Sequence, residues 1–175
     1  MLDEIVAYHK GNPIRMATTK IATKKPDAEW DQNMKKMFWY HNTPITAFEQ
    51  KELFDLRERL LQFGGYETCL PRVDTDVEDI LNRGQLWFGD RIKMRKGAPC
   101  GCHRNSALLW SKNPANYVLC TGYALSKDGL WRQHSWLVEP RKRKSRIIET
   151  TVERVAYFGF AMTRIEALHF CANNY

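Results

Sequence analysis

Three residues able to do acyl-transfer chemistry follow one another in a telling order along this chain. Cys102 lies in Pro99-Cys100-Gly101-Cys102-His103-Arg104-Asn105-Ser106, His134 follows 32 residues later in Trp131-Arg132-Gln133-His134-Ser135-Trp136, and Glu149 ends the run Ile147-Ile148-Glu149. A thiol is a strong nucleophile only as thiolate, and a helix N-terminus and a neighbouring imidazolium both lower its pKa. A histidine that exchanges that proton needs a carboxylate or amide on its second ring nitrogen to fix tautomer and orientation. The order points to Cys102 as nucleophile, His134 as acid and base, and Glu149 as the group that orients it. The substrate would be a carboxamide or peptide bond, cleaved through a thioester.

Such a site needs particular elements. Lys96-Gly97-Ala98-Pro99 breaks the chain, and a helix is expected from Cys102 to Trp110, ending before Asn113-Pro114. Cys100 is the rival nucleophile, but it precedes Gly101 and lies before the first helical turn, where the helix dipole helps less. Asn105 and Ser106 share a face with Cys102 one turn on, and Leu108 and Leu109 supply apolar anchoring. Strands are expected at Tyr117 to Leu125 and Leu130 to Val138 around the turn Ser126-Lys127-Asp128-Gly129, then at Arg146 to Thr150. Alternation puts His134 with Arg132 and Trp136 on one face, and Trp131, Gln133, Ser135 and Leu137 on the other. Glu149 beside Ile147 and Ile148 is a poor packing choice unless it has a partner, because a buried charge must be paired.

Upstream, Thr43-Pro44 reads as a helix start, and Phe48, Leu53, Leu56, Leu60 and Phe63 recur at helical spacing until Gly64-Gly65. A shorter helix follows Asp74-Thr75-Asp76 with Val77, Ile80 and Leu81 and ends near Gly84. Gln85 to Met94 reads as strand around Gly89-Asp90, and a C-terminal helix carries Ile165, Leu168 and Phe170. Residues 1–31 are polar and weakly periodic, an extension or arm, and 32–175 form one domain of α+β class. A chain of 175 residues with 43% hydrophobic and 12% aromatic residues can bury a real core.

No apolar run is long enough to span a bilayer, and Met1-Leu2-Asp3-Glu4 lacks the pattern of a secretory signal, so a cytoplasmic protein with no membrane partner is expected. Five cysteines without an export signal are expected to be thiols. The net charge of +7 gathers largely in Arg91-Ile92-Lys93-Met94-Arg95-Lys96 and Arg141-Lys142-Arg143-Lys144. The second cluster reads first as a solvated hairpin loop and second as a phosphate-binding patch. Positive charge biases encounter towards acidic proteins and also permits nucleic-acid binding.

Cys102-His103-Arg104-Asn105 resembles the Cys-x-x-Asn helix start of protein N-terminal glutamine amidohydrolases, and Trp131-Arg132-Gln133-His134 resembles their Trp-x-x-His strand. Glu149 stands where they have Asp, and the extra cysteine two residues before the nucleophile recurs. The resemblance covers short segments between Cys100 and Thr150, and upstream of Pro99 nothing matches. It implies a papain- or transglutaminase-like α+β fold, with the cysteine helix packed on a small antiparallel sheet, and hydrolysis of a side-chain amide without a cofactor. Bacterial deamidases with a Cys-His-Asp or Cys-His-Glu set and small cysteine peptidases are similar at this level. An oxyanion hole would combine the Cys102 backbone N–H with a second donor, for which Asn105, Gln85 and, least favoured, Gln133 are candidates. Trp131 and Trp136 are candidates for the pocket wall.

Two other classes compete. Cys100, Cys102, His103, Cys120 and His134 are ligand types for zinc, but a Cys-x-Cys pair without a second compact ligand pair does not match the usual spacings, so no metal is expected. A noncatalytic basic module would use Trp and Tyr interleaved with Arg and Lys to stack bases and neutralise phosphates. The simpler role for Trp87, Trp110, Trp131 and Trp136 is to fill the core.

Overall fold

The computed structural model describes Ile21, Gln32 and residues 50–71 and 73–175. Among these residues the chain is α+β, with four helices and one mixed seven-stranded sheet. The elements in order are α1 (Lys51–Phe63), β1 (Glu67–Cys69), α2 (Val77–Arg83), β2 (Gln85–Phe88), β3 (Ile92–Met94), α3 (Cys102–Lys112), β4 (Val118–Leu125), β5 (Leu130–Glu139), β6 (Arg146–Glu149), β7 (Ala156–Ala161) and α4 (Arg164–Asn173). The strands run β2-β7-β4-β5-β6-β3 across the sheet, and β1 adds to β5 off this path.

The β4–β5 hairpin is the backbone of the architecture, with eight paired rungs from Val118–Val138 to Leu125–Trp131. Its alternation sorts the core. On one face Tyr123, Leu125, Trp131, Phe158 and Phe160 receive Leu53, Leu56 and Leu60 of α1 and Ile80 of α2. On the same side Leu119, Leu137 and Ile148 receive Ala107 and Trp110 of α3 and Ala167 and Cys171 of α4. The opposite face holds Cys120, Ala124, Trp136, Val138, Ile147 and Tyr157, with Trp87 packed against them. Trp87 and Trp136 belong to strands three places apart, about 14 Å in a flat sheet, yet their rings meet edge to face at 5.5 Å. Between those strands Gly122 and Gly159 face each other across β4 and β7. A Cβ on Gly122 would stand 2.3 Å from the Phe158 carbonyl oxygen, and its φ of +151° suits glycine alone.

Several sequence expectations need correction. The small antiparallel sheet expected is a mixed one, with β1–β5 and β3–β6 parallel. The strand read over Gln85 to Met94 is present as β2 and β3 on either side of Gly89-Asp90, and the two pair with β7 and β6 at opposite ends of the sheet. The start expected at Thr43-Pro44 lies outside the described residues, and α1 as described begins at Lys51. In α4, Ile165 and Leu168 are exposed, and Ala167 and Cys171 are the buried residues. Strands β1 and β7 had no counterpart in the sequence reading. The division into a 1–31 arm and a domain from residue 32 falls largely outside the described residues. No helix among the described residues is long and apolar enough to cross a membrane.

Candidate active site

Helix α3 begins at Cys102, with Gly101 before it as N-cap. Asn105 holds the preceding loop in place: its Oδ1 accepts from the Ala98 N–H at 3.0 Å and its Nδ2 donates to the Ala98 carbonyl at 2.8 Å. The amide thus serves the loop that presents the cysteine. Cys100 lies in that loop, exposed, with φ of +57°. Cys102 is half-buried at the helix start, where first-turn N–H groups have no intrahelical acceptor.

The sheet is interrupted where this helix meets it. On one edge of β5, β1 pairs with residues 130–132 and β6 with residues 137–139. Between them Gln133 to Trp136 have no strand partner on that edge among the described residues. The first turn of α3 docks there: the Ser106 hydroxyl donates to the Ser135 carbonyl at 3.0 Å. His103 Nδ1 lies 2.7 Å from Ser135 Oγ, which itself donates to Thr121 Oγ1 at 3.1 Å.

His134 points to the other face and is 1% exposed, beside a fully buried Glu149. Its Nε2 lies 2.9 Å from Glu149 Oε2, which leaves Nδ1 for the thiol. Glu149 accepts from five donors: Oε2 also receives the Tyr157 hydroxyl at 2.9 Å, while Oε1 receives the Thr150 and Thr151 N–H groups at 2.8 Å each and the Thr151 hydroxyl at 3.0 Å. This answers the requirement that a buried carboxylate be satisfied. Burial opposes ionisation of Glu149, but His134, the Thr151 N–H and Tyr157 outweigh it and hold the carboxyl below its ordinary value.

The thiol and the imidazole shift each other. Burial alone would push the Cys102 thiol up, yet side-chain interactions with His103 and His134 bring it down to about 5. Burial likewise works against the His134 cation, and Cys102 and Glu149 together raise its pKa above the ordinary value. Both shifts favour the thiolate and imidazolium forms of the pair over the thiol and neutral imidazole. The other thiols move the opposite way: burial pushes Cys69 up to about 11 and raises fully buried Cys120 as well.

The remaining sequence candidates separate. Trp136 stacks on His134, with centroids 6.4 Å apart and planes 10° off parallel. Its indole Nε1–H is buried without a hydrogen-bond partner among the described residues. Trp131 belongs to the opposite face, where it is fully buried and donates to the Gly64 carbonyl at 2.9 Å. It anchors the turn after α1 and is not a wall of the site. Gln85 stands in the row Gln85-Gly159-Gly122-His134, three strands from the imidazole. Gln133 is exposed. Sequence reasoning missed His103, Tyr157 and the Ser135–Thr121 pair; only the place of His103 next to Cys102 offered a signal. On the helix side a cleft of about 420 Å³, lined by Asp76, His103, Thr121, Phe160, Glu166 and Phe170 among others, reaches the site through His103 and not through Cys102 or His134. Among the described residues no group of three His, Cys, Asp or Glu is arranged to hold a metal ion.

Compared with known proteins, the chain matches no protein-family model, no curated protein and no solved structure.

Proposed function

We propose that the protein is a cysteine-dependent hydrolase of carboxamide or peptide bonds, with Cys102 as nucleophile, His134 as acid and base, and Glu149 as orienting carboxylate. The observation that carries the reading is the buried 2.9 Å contact of His134 Nε2 with Glu149, made by an imidazole that also interacts with a half-buried thiol whose pKa is about 5. A thiol, an imidazole and a carboxylate on three separate elements have no packing reason to meet, whereas nucleophilic catalysis requires it. The cysteine helix resting on an antiparallel hairpin that carries histidine and carboxylate on adjacent strands is the arrangement expected of a papain- or transglutaminase-like fold.

The chemistry follows from the groups present. The Cys102 thiolate attacks the carbonyl carbon, and the oxyanion formed is stabilised by the Cys102 backbone N–H. Trp136 Nε1–H, a buried donor without an acceptor among the described residues on a ring stacked against His134, is the second donor we assign, since a buried N–H without an acceptor costs about 1–3 kcal/mol. His134 gives its Nδ1 proton to the departing amine or ammonia as the C–N bond breaks, leaving a thioester. Water then loses a proton to His134 as it attacks the thioester, releasing the acid and restoring the ion pair; an amine entering in place of water would make the reaction a transfer. Glu149 holds the ring throughout. Incubation with carboxamide-bearing peptides, followed by ammonia release and mass change, tests the reading. Activity should vanish in Cys102→Ala and in His134→Ala with the circular dichroism spectrum retained; full activity of the double variant overturns it.

A further inference from the structure

The whole net charge of the chain sits at one edge of the sheet. Residues 90–96 and 139–146 hold nine Lys and Arg against Asp90 and Glu139, a net +7 equal to that of the entire chain, whose other residues carry 18 bases (27 less 9) and 18 acids (20 less 2). The two segments are remote in sequence and meet because β3 and β6 pair in parallel, Ile92 opposite Ile147. The Ile147 N–H donates to the Arg91 carbonyl at 3.0 Å, and Lys144 pairs with Asp90 at 2.6 Å. Arg141 and Arg146 both reach Glu139, at 2.8 and 2.7 Å. Arg91, Arg95, Lys96, Lys142 and Arg143 are exposed and form no ion pair with a carboxylate among the described residues. Charge of one sign concentrated this way steers anionic partners to the edge.

The form of the edge favours a polypeptide. Strand β3 ends the sheet among the described residues. The Arg91 carbonyl and the Arg95 N–H bond towards β6, so alternation turns the backbone groups of Ile92 and Met94 outward, where an extended chain can add as a further strand. The exposed aromatics Tyr66, Phe88 and Tyr175 lie on neither strand nor the loop between β5 and β6, so among the described residues no exposed aromatic offers this edge a platform for stacking bases. The edge also leads to the site. Met94 pairs with Glu149, the Arg95 N–H donates to the Glu149 carbonyl at 2.8 Å, the Gly97 N–H to that of Thr150 at 2.9 Å, and the chain then turns into Cys102.

We propose that the β3 edge docks an acidic, extended segment of the substrate protein beside Cys102. The substrate role rests on the hydrolase reading, while docking itself does not need the thiol. The test uses the full chain carrying Cys102→Ala, with fluorescence anisotropy of a labelled oligo-glutamate peptide and of an oligo-thymidylate of equal charge across a salt series. The peptide should bind more tightly than the oligonucleotide, weaken steeply with salt, and lose roughly tenfold in affinity when Arg91, Lys142 and Arg143 are changed to Gln. In the Cys102-containing chain the same three changes should leave the alkylation rate of Cys102 unaltered. Tighter binding of the oligonucleotide would assign the edge to nucleic acid, and either no salt-sensitive peptide binding or unchanged binding by the triple variant would overturn docking. An ordinary pH profile of Cys102 together with peptide binding would remove the hydrolase and leave the dock.

Discussion

Removing the His134 imidazole should change which pH wakes the Cys102 thiol, and iodoacetamide reports this directly. With the thiol at about 5, the thiolate fraction at pH 6 is about 0.9, against about 0.003 for an ordinary thiol near 8.5, a gain of about 300-fold. Lower basicity also weakens the nucleophile, by about 25- to 55-fold over that pKa interval. Cys102 should therefore react roughly five- to tenfold faster than a free cysteine peptide at pH 6, and roughly tenfold slower at pH 8, where both thiols have substantial thiolate. In His134→Gln the volume is kept and the imidazolium lost, so the midpoint should rise by about one to three units. Peptide mapping by mass spectrometry separates Cys102 from exposed Cys100, while Cys120 and Cys171 are buried. A wild-type midpoint near that of a free thiol, or a midpoint that His134→Gln does not move, refutes the ion pair and the mechanism built on it.

Other changes read different parts of the structure. Glu149→Gln must turn its NH2 towards His134 and Tyr157, because Oε1 receives two backbone N–H groups that cannot accept; turnover should fall by at least about 100-fold, as expected when a triad histidine loses its tautomer control, and an unchanged kcat would show that Glu149 does not orient the ring. Gly122→Ala should destabilise by about 2 kcal/mol or more, since its Cβ meets backbone at 2.3 Å; a melting temperature within a degree or so of wild type would disprove the close approach. Glu166 completes a capping box with Thr163 and binds Arg83, which lowers its pKa to about 2. A carboxyl depressed in the fold contributes stability present above its unfolded pKa and lost as pH falls towards the folded one, so wild type should lose melting temperature more steeply than Glu166→Gln between about pH 5 and 2; parallel curves would discount the contact.

The parts of the site that could be read in advance were those governed by local rules. The break at Gly97-Ala98-Pro99 and the apolar spacing behind it announced a helix at Cys102, and strict alternation in β5 placed His134 and Trp136 on a shared face, as observed. Glu149 stood out because an unpartnered carboxylate next to two isoleucines would be costly. Strand β7 gave no such signal: five of its six residues are buried, so Tyr157, which bonds Glu149, looked like one more aromatic in an apolar run. Trp131 was a poor choice of pocket wall for a reason already legible, since alternation puts it on the face opposite His134, where it is fully buried. The pairing of β3 with β6 is a long-range choice, and only it reveals that two basic segments form one surface. Whether an amide such as Asn105 is free or engaged depends on a loop seven residues away.

Three rungs of ladder, Leu137–Ile148, Val138–Ile147 and Glu139–Arg146, separate the lysine- and arginine-rich turn after β5 from the Glu149 that grips His134. Charge changes in that turn act at a distance from the geometry beneath, because two apolar rungs and the Glu139–Arg146 ion pair lie between. Natural variation therefore has room to retune what the protein meets while leaving untouched how it reacts.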